Sequence, residues 1–316
     1  MGGRLAAVIG YVALRCARAL VTVWGVATLV FVLVRVVPGD PVETMLGDHA
    51  SPEDRRALRQ ALHLDRPLAA QYGAFLMDIG DGSLGRSFRS RERTVSSILG
   101  EVLAPTAALA IASLLLAWML AVPLGTIAAV HHGTSVDRIA TGASIVGLAI
   151  PNIWLGPLLL LVFSVKLRWL PLPGGDAHPI AAIVLPVITL GTAMAAILAR
   201  QTRATLLEVL HQQYILAARA RGLSEGIVVL KHGLRNALIP VATVGAAQLG
   251  ALLSGTIVTE RIFEREGLGT VFLEAFFARD FPVIQGAVLF FGVVYVSVNL
   301  AVDLFYAVAD PRVRLG

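Results

Sequence analysis

Six stretches of this sequence run without one charged side chain: residues 19–34, 102–130, 139–165, 180–199, 237–259 and 282–302. A membrane-crossing helix needs about 20 apolar residues. In hydrocarbon, only helices and closed barrels satisfy every backbone polar group internally. None of the six runs alternates apolar and polar residues as a lipid-facing barrel strand does. The expectation is therefore an all-α polytopic membrane protein with six transmembrane helices. Composition supports it, since 15% of residues are charged against roughly 25% in soluble domains.

The formal charge of +5 does not point to nucleic acid, because the arginines are scattered and many flank apolar runs. Arg4, Arg15 and Arg18 precede the first run, and "RVVPGDP" follows it without a small-residue cleavage site, so an uncleaved span is expected rather than a signal peptide. Arg35 then lies at the far interface. With the N-terminus inside, Arg138, Arg200, Arg203, Arg219, Arg221, Lys231 and Arg235 also fall inside, and both termini are cytoplasmic. Residues 1–37 form the N-terminus and first span.

Residues 38–101 are too long for a plain connector. "SPEDRRALRQAL" carries Ser51 as an N-cap, Pro52 at the first helical position and acids in the first turn. A small helical extracytoplasmic lobe between the first two spans is expected, resting on the bundle. Residues 102–316 form the five-helix remainder, with a cytoplasmic segment at 200–236.

Several patterns are discarded on context. "GDGSLG" satisfies G-x-G-x-x-G but sits in a helical outer loop, without the strand, helix and acid of a dinucleotide site. His131 and His132 have no further ligand nearby and are expected to be solvated. Cys16 is the single cysteine, so there is no intrachain disulfide and no metal framework. No phosphate-binding loop surrounds Lys166 or Lys231, so this chain has no visible means of binding ATP. No convergent acid, base or metal set suggests an enzyme.

The spans lack midplane charge, which counts against a proton-coupled secondary transporter or stand-alone channel. They carry Pro and Gly breaks (Pro123, Pro151, Pro157, Pro186, Pro240) and uncharged polar residues instead. Asn152, Gln248 and Asn299 serve helix packing or line a deformable path. Asp303, one turn after Asn299, is expected to pair with it or to cap locally.

The segment "YILAARARGLSEGIVVLKHGLRNALIP" is rich in small residues and arginines, with no nucleophile or acid pair. It resembles the cytoplasmic coupling segment of ABC importer permeases. "LVRVVPGDP", "GSLGRSF", "GLAIPNIWLG", "LRWLPLPGG" and "VNLAVDLFYAVADPRVR" occur in the same order as in the dipeptide/oligopeptide/nickel permease family. The partner with the long first outer loop is the most similar. Two departures stand out: Leu216 replaces the acid that precedes Ala217 and Ala218, and Glu266 stands where the family often has Pro.

The resemblance implies the type I importer permease fold in the bacterial cytoplasmic membrane. It implies translocation of dipeptides or oligopeptides by alternating access, with nickel or glutathione as alternative cargo. Partners would be a second homologous permease, two ATP-binding subunits that hold ATP and Mg, and an extracytoplasmic solute-binding protein. Tyr214, Ala217, Ala218, Arg219, Ala220, Arg221, Gly222, Leu223 and Ser224 would dock an ATPase subunit. Small side chains there admit close approach, Gly222 permits a turn and Ser224 is placed to cap a second short helix. Glu260, Phe263, Gly267 and Gly269 would form the outer loop that meets the binding protein.

Overall fold

The computed structural model describes residues 2–36, 39–47, 50–175 and 179–309. Among the described residues, five helices are long and apolar enough to cross a membrane: Val12–Val36, Val95–Val130, Ile180–Leu210, Glu225–Gly250 and Phe281–Leu304. The sixth crossing exists only as a bent pair, Ser135–Ala149 and Asn152–Lys166, which meet at 97°. The uninterrupted third run of the sequence is thus two helices. Pro151 disfavours the helical conformation of the residue before it, and Ile150 is extended at φ −82°, ψ 114°.

Packing divides the chain into two compact units, Met1–Thr106 with Glu266–Gly316, and Ala107–Arg265. The first contains α1 (Gly2–Val36), α2 (Pro41–Leu46), α3 (Pro52–Ala61), α4 (Leu68–Gly80) and the opening turns of α5 (Val95–Val130). α12 (Leu268–Phe277) and α13 (Phe281–Ala309) complete it. Its core joins Val30, Phe31 and Val34 of α1 to Phe75, Leu99, Leu268, Ile284 and Leu289. Tyr72 and Phe75 of α4 stack on Phe31, with centroids 5.0 and 5.6 Å away, and Tyr72 Oη lies 2.7 Å from Thr28 Oγ1. α4 therefore leans on α1 instead of building a separate core, as a short segment with little apolar surface must.

Ser51 caps α3 by accepting the Asp54 N–H at 3.1 Å. Asp280, at the entry to α13, is buried and fully engaged: it accepts Ser87 Oγ at 2.5 Å, Phe88 N–H at 3.0 Å and Arg89 N–H at 3.3 Å. A buried carboxylate is tolerable only when its lone pairs are satisfied in this way.

The second unit contains the rest of α5, α6 (Ser135–Ala149), α7 (Asn152–Leu159) with its π-helical continuation Leu160–Lys166, and α8 (Pro179–Leu210). α9 (Gln213–Ala220), α10 (Glu225–Ile227), a second π-helical stretch Val228–Leu234 and α11 (Arg235–Ile262) follow. Leu109, Ala117 and Ala121 of α5 pack with Leu190, Leu198 and Ala199 of α8 and Val241 of α11. α5 lies so close to α8 that a Cβ on Gly125 would stand 2.5 Å from the Ala199 carbonyl oxygen and 2.6 Å from Thr202 Cβ. Only glycine fits there.

Candidate functional site

The segment between α8 and α11 is an exposed helical turn on a buried foot. Ile215 and Val228 are fully buried and pack with Ala218 and Leu210. Tyr214, Leu216, Ala217, Arg219, Ala220, Arg221, Gly222, Leu223 and Ser224 are exposed. Ala218 therefore belongs to the foot of this element, whereas Ala217 and Ala220 lie on its free face. Every third or fourth residue faces inward, as one helical face must.

Gly222 makes the turn at φ +78° with nothing near its missing Cβ, so its conformation is what the position requires. Its N–H donates to the Arg219 carbonyl at 2.9 Å, and Leu223 N–H to that of Ala218 at 3.4 Å. Arg219 closes the turn in a bidentate pair with Glu225, Nε to Oε1 at 2.8 Å and NH2 to Oε2 at 3.2 Å. This arginine is thus engaged within the element, and Arg221 is the exposed guanidinium beside it. Ser224 occupies the N-cap of α10 but its hydroxyl makes no cap bond. Its carbonyl accepts Val228 N–H at 3.0 Å. The helix it opens is a single turn that runs on as a π-helix.

The foot is fastened to the spans. Leu206 of α8 is fully buried against Val229, Ala237 of α11 and Ala129 of α5. Asn236 Nδ2 donates to Tyr214 Oη at 2.7 Å, tying the start of α9 to α11. The turn is thus joined to both α8 and α11. No group of three or more His, Cys, Asp or Glu that could hold a metal occurs among the described residues.

One element near this foot is absent from the sequence expectations. Asp137, in the first turn of α6, is buried and accepts Arg203 Nε at 2.6 Å and NH2 at 2.7 Å. Gly133 N–H at 3.0 Å and Thr141 Oγ1 at 3.3 Å complete its shell. His132 Nδ1 lies 3.1 Å from Asp137 Oδ2 and 3.0 Å from Arg203 NH2. His132 is exposed, as expected, and also joins this cluster. The acid in a first turn was the available signal; nothing in one sequence paired it with an arginine 66 residues on.

The residues expected in the outer loop lie on either side of the connection between α11 and α12. Glu260 and Phe263 are buried at the end of α11, and Gly267 and Gly269 are buried at the start of α12. They shape the loop from within, while Arg261, Glu264 and Glu266 are its exposed side chains. Asn152 and Gln248 are half-buried in the second unit. In the first, Asn299 donates to the Tyr295 carbonyl at 2.9 Å, and Asp303 pairs with Arg15 at 2.7 Å. The expected Asn299–Asp303 pair is not formed: a closer arginine on α1 takes the carboxylate.

The family model described as "Binding-protein-dependent transport system inner membrane component" matches residues 121–315. A companion model, "Binding-prot-dependent transport system membrane comp, N-term", matches residues 8–110. The glutathione transport system permease protein GsiC of Escherichia coli (strain K12) is 40% identical over 306 residues, covering 97% of this chain and 99% of the relative. The protein of the same name from Shigella dysenteriae serotype 1 (strain Sd197) matches to the same extent, 40% over 306 residues.

Proposed function

The chain belongs to the binding-protein-dependent transport system inner membrane component family, the non-catalytic permeases of ABC importers, and we propose that it moves peptide-class solutes inward by alternating access. The observation that carries the mechanical part is the exposed turn at Arg219–Ser224 standing on a foot shared by α8, α9, the π-helical stretch Val228–Leu234 and α11. An ATPase subunit that seats on Ala217, Ala220, Arg221 and Gly222 transmits its closure to those spans through Leu206, Val229 and Tyr214. Two such subunits supply ATP and Mg, and a second homologous permease covers part of the apolar surface that Leu20, Trp24, Leu115 and Met119 leave exposed. Lipid covers the remainder.

The turn faces the cytoplasm in this reading. Lys and Arg concentrate on that side, and the Arg15–Asp303 pair holds the N-terminal half of α1 beside the C-terminal part of α13. An extracytoplasmic solute-binding protein then meets the opposite face, where Glu264 and Glu266 are exposed. The relatives named for glutathione favour a second cargo of the same chemistry, since glutathione is itself a small peptide; nickel remains the other member of the expected set. The test is reconstitution of the chain with its partner permease, ATPases and binding protein in liposomes. ATP-dependent accumulation of peptide that needs every component is expected. Uptake by this chain alone, without ATPases, overturns the proposal.

A further inference from the structure

The first unit contains a groove of about 580 Å³ whose lining includes Arg35, Gln71, Asp78, Arg86 and Gln285. That volume suits a small ligand. Most of its polar groups are already occupied. Arg35 donates to Gln71 Oε1 through Nε at 3.2 Å and NH2 at 3.0 Å and to the Phe31 carbonyl at 2.9 Å, and Gln71 Nε2 donates to the Arg66 carbonyl at 2.9 Å.

Gln285 and Asp78 are among those that are not. Gln285, one turn into α13, is 5% exposed, and its Nε2 has no hydrogen-bond partner among the described residues. A buried amide donor without an acceptor is costly and rare, and calls for a missing partner. The Asp78 carboxylate, half-buried at the end of α4, accepts no hydrogen bond from any described residue. Burial, reinforced by the charge of Asp81, holds its pKa above the ordinary carboxylate value. Arg86, exposed at the rim, makes one long bond, to the Arg91 carbonyl at 3.4 Å.

An unmet donor, an unmet carboxylate and a rim guanidinium in one groove complement a carbonyl oxygen, an ammonium and a carboxylate. We infer that this groove receives a short zwitterionic peptide, its ammonium on Asp78, its first carbonyl on Gln285 Nε2 and its carboxylate on Arg86. The site rests on the peptide reading above. It gives that reading a receiving point on the permease itself, where the end of α1 and the start of α13 meet α4.

The assembled transporter, without its binding protein, in nanodiscs of phosphatidylcholine alone, is titrated with trialanine and glutathione by ligand-detected NMR. Binding is expected that N-acetylation of trialanine, Asp78→Asn or Gln285→Met each weakens about tenfold or more, the worth of a charge-assisted or buried hydrogen bond. Asp78→Asn is nearly isosteric and Gln285→Met keeps volume, and recovery of intact complex checks both. Absence of binding, or equal binding of the acetylated and free peptides, overturns the site. So does binding seen only when the ligand is the zwitterionic headgroup of added phosphatidylethanolamine. ATP-driven uptake of a casein digest is measured in parallel: uptake without groove binding removes the site alone, and loss of uptake in the wild type removes the reading beneath it.

Discussion

Arg203 grips both carboxylate oxygens of Asp137, at 2.6 and 2.7 Å, across 66 residues of sequence. The pair clamps the first turn of α6 to α8, three residues before the fully buried Leu206. Removing one partner leaves the other charge buried and unpaired, which is worse than removing both. Arg203→Leu is expected to lower the thermal midpoint of the purified complex by roughly 5 °C. The double change Arg203→Leu with Asp137→Leu is expected to recover at least half of the loss, as measured by differential scanning fluorimetry in detergent. Equal loss in the single and double variants would show that the pair contributes nothing of its own.

Gly125 predicts a second stability effect. A methyl group there has the Ala199 carbonyl and Thr202 Cβ within 2.6 Å, both on a helix backbone or next to it. Relief requires α5 and α8 to separate, so Gly125→Ala is expected to cost about 1–3 kcal/mol, as over-packing of a tight core does. Gly100→Ala, where nothing lies within 4 Å, is the control and should be neutral or slightly stabilising. Urea titration of both variants, followed by protease susceptibility, distinguishes them.

What could be foreseen follows from how local each cause is. Charge-free runs located the spans because burying backbone in lipid is a local demand. Pro151 marked the break in the third run, but proline states only that Ile150 leaves the helix; the 97° bend depends on what α6 and α7 pack against. Gly222 was recognisable as a turn because its need for positive φ belongs to one residue. Ala218 was misplaced because alanine looks alike on either face; only the contact with Ile215 and Val228 makes it a foot residue. His132, Asp137 and Arg203 were invisible for a stronger reason: their meeting is wholly tertiary.

The Arg15–Asp303 pair, at 2.7 Å, joins the N-terminal half of α1 to the C-terminal part of α13. Both side chains are about a third exposed (35% and 32%), so solvent screens the pair and its deletion should matter little for stability. Its expected role is orientation of the two helices. Exchanging the charges with Arg15→Asp and Asp303→Arg should restore complex yield lost in either single variant. Yields equally low in all three would show that the pair has no pairwise role.

The exposed turn gives the last prediction. Bulk added to its free face should block docking without touching the foot. Ala220→Arg places a long cation beside Gly222, where no side chain of this chain packs, and should leave expression and thermal midpoint unchanged. ATPase co-purification should fall about tenfold or more, because a partner surface shaped for a methyl group cannot accept a guanidinium without reorganising. Ala218→Arg is a poor substitute, since Ala218 sits against Ile215 and Val228 and the variant damages the foot itself. Ile215→Ala separates the two effects from the other side. It leaves the face intact but empties the buried contact, costing about 2–5 kcal/mol, and should uncouple ATP hydrolysis from uptake while the ATPases still bind. Normal ATPase recovery and peptide uptake with Ala220→Arg would show that the subunits seat elsewhere on the cytoplasmic face.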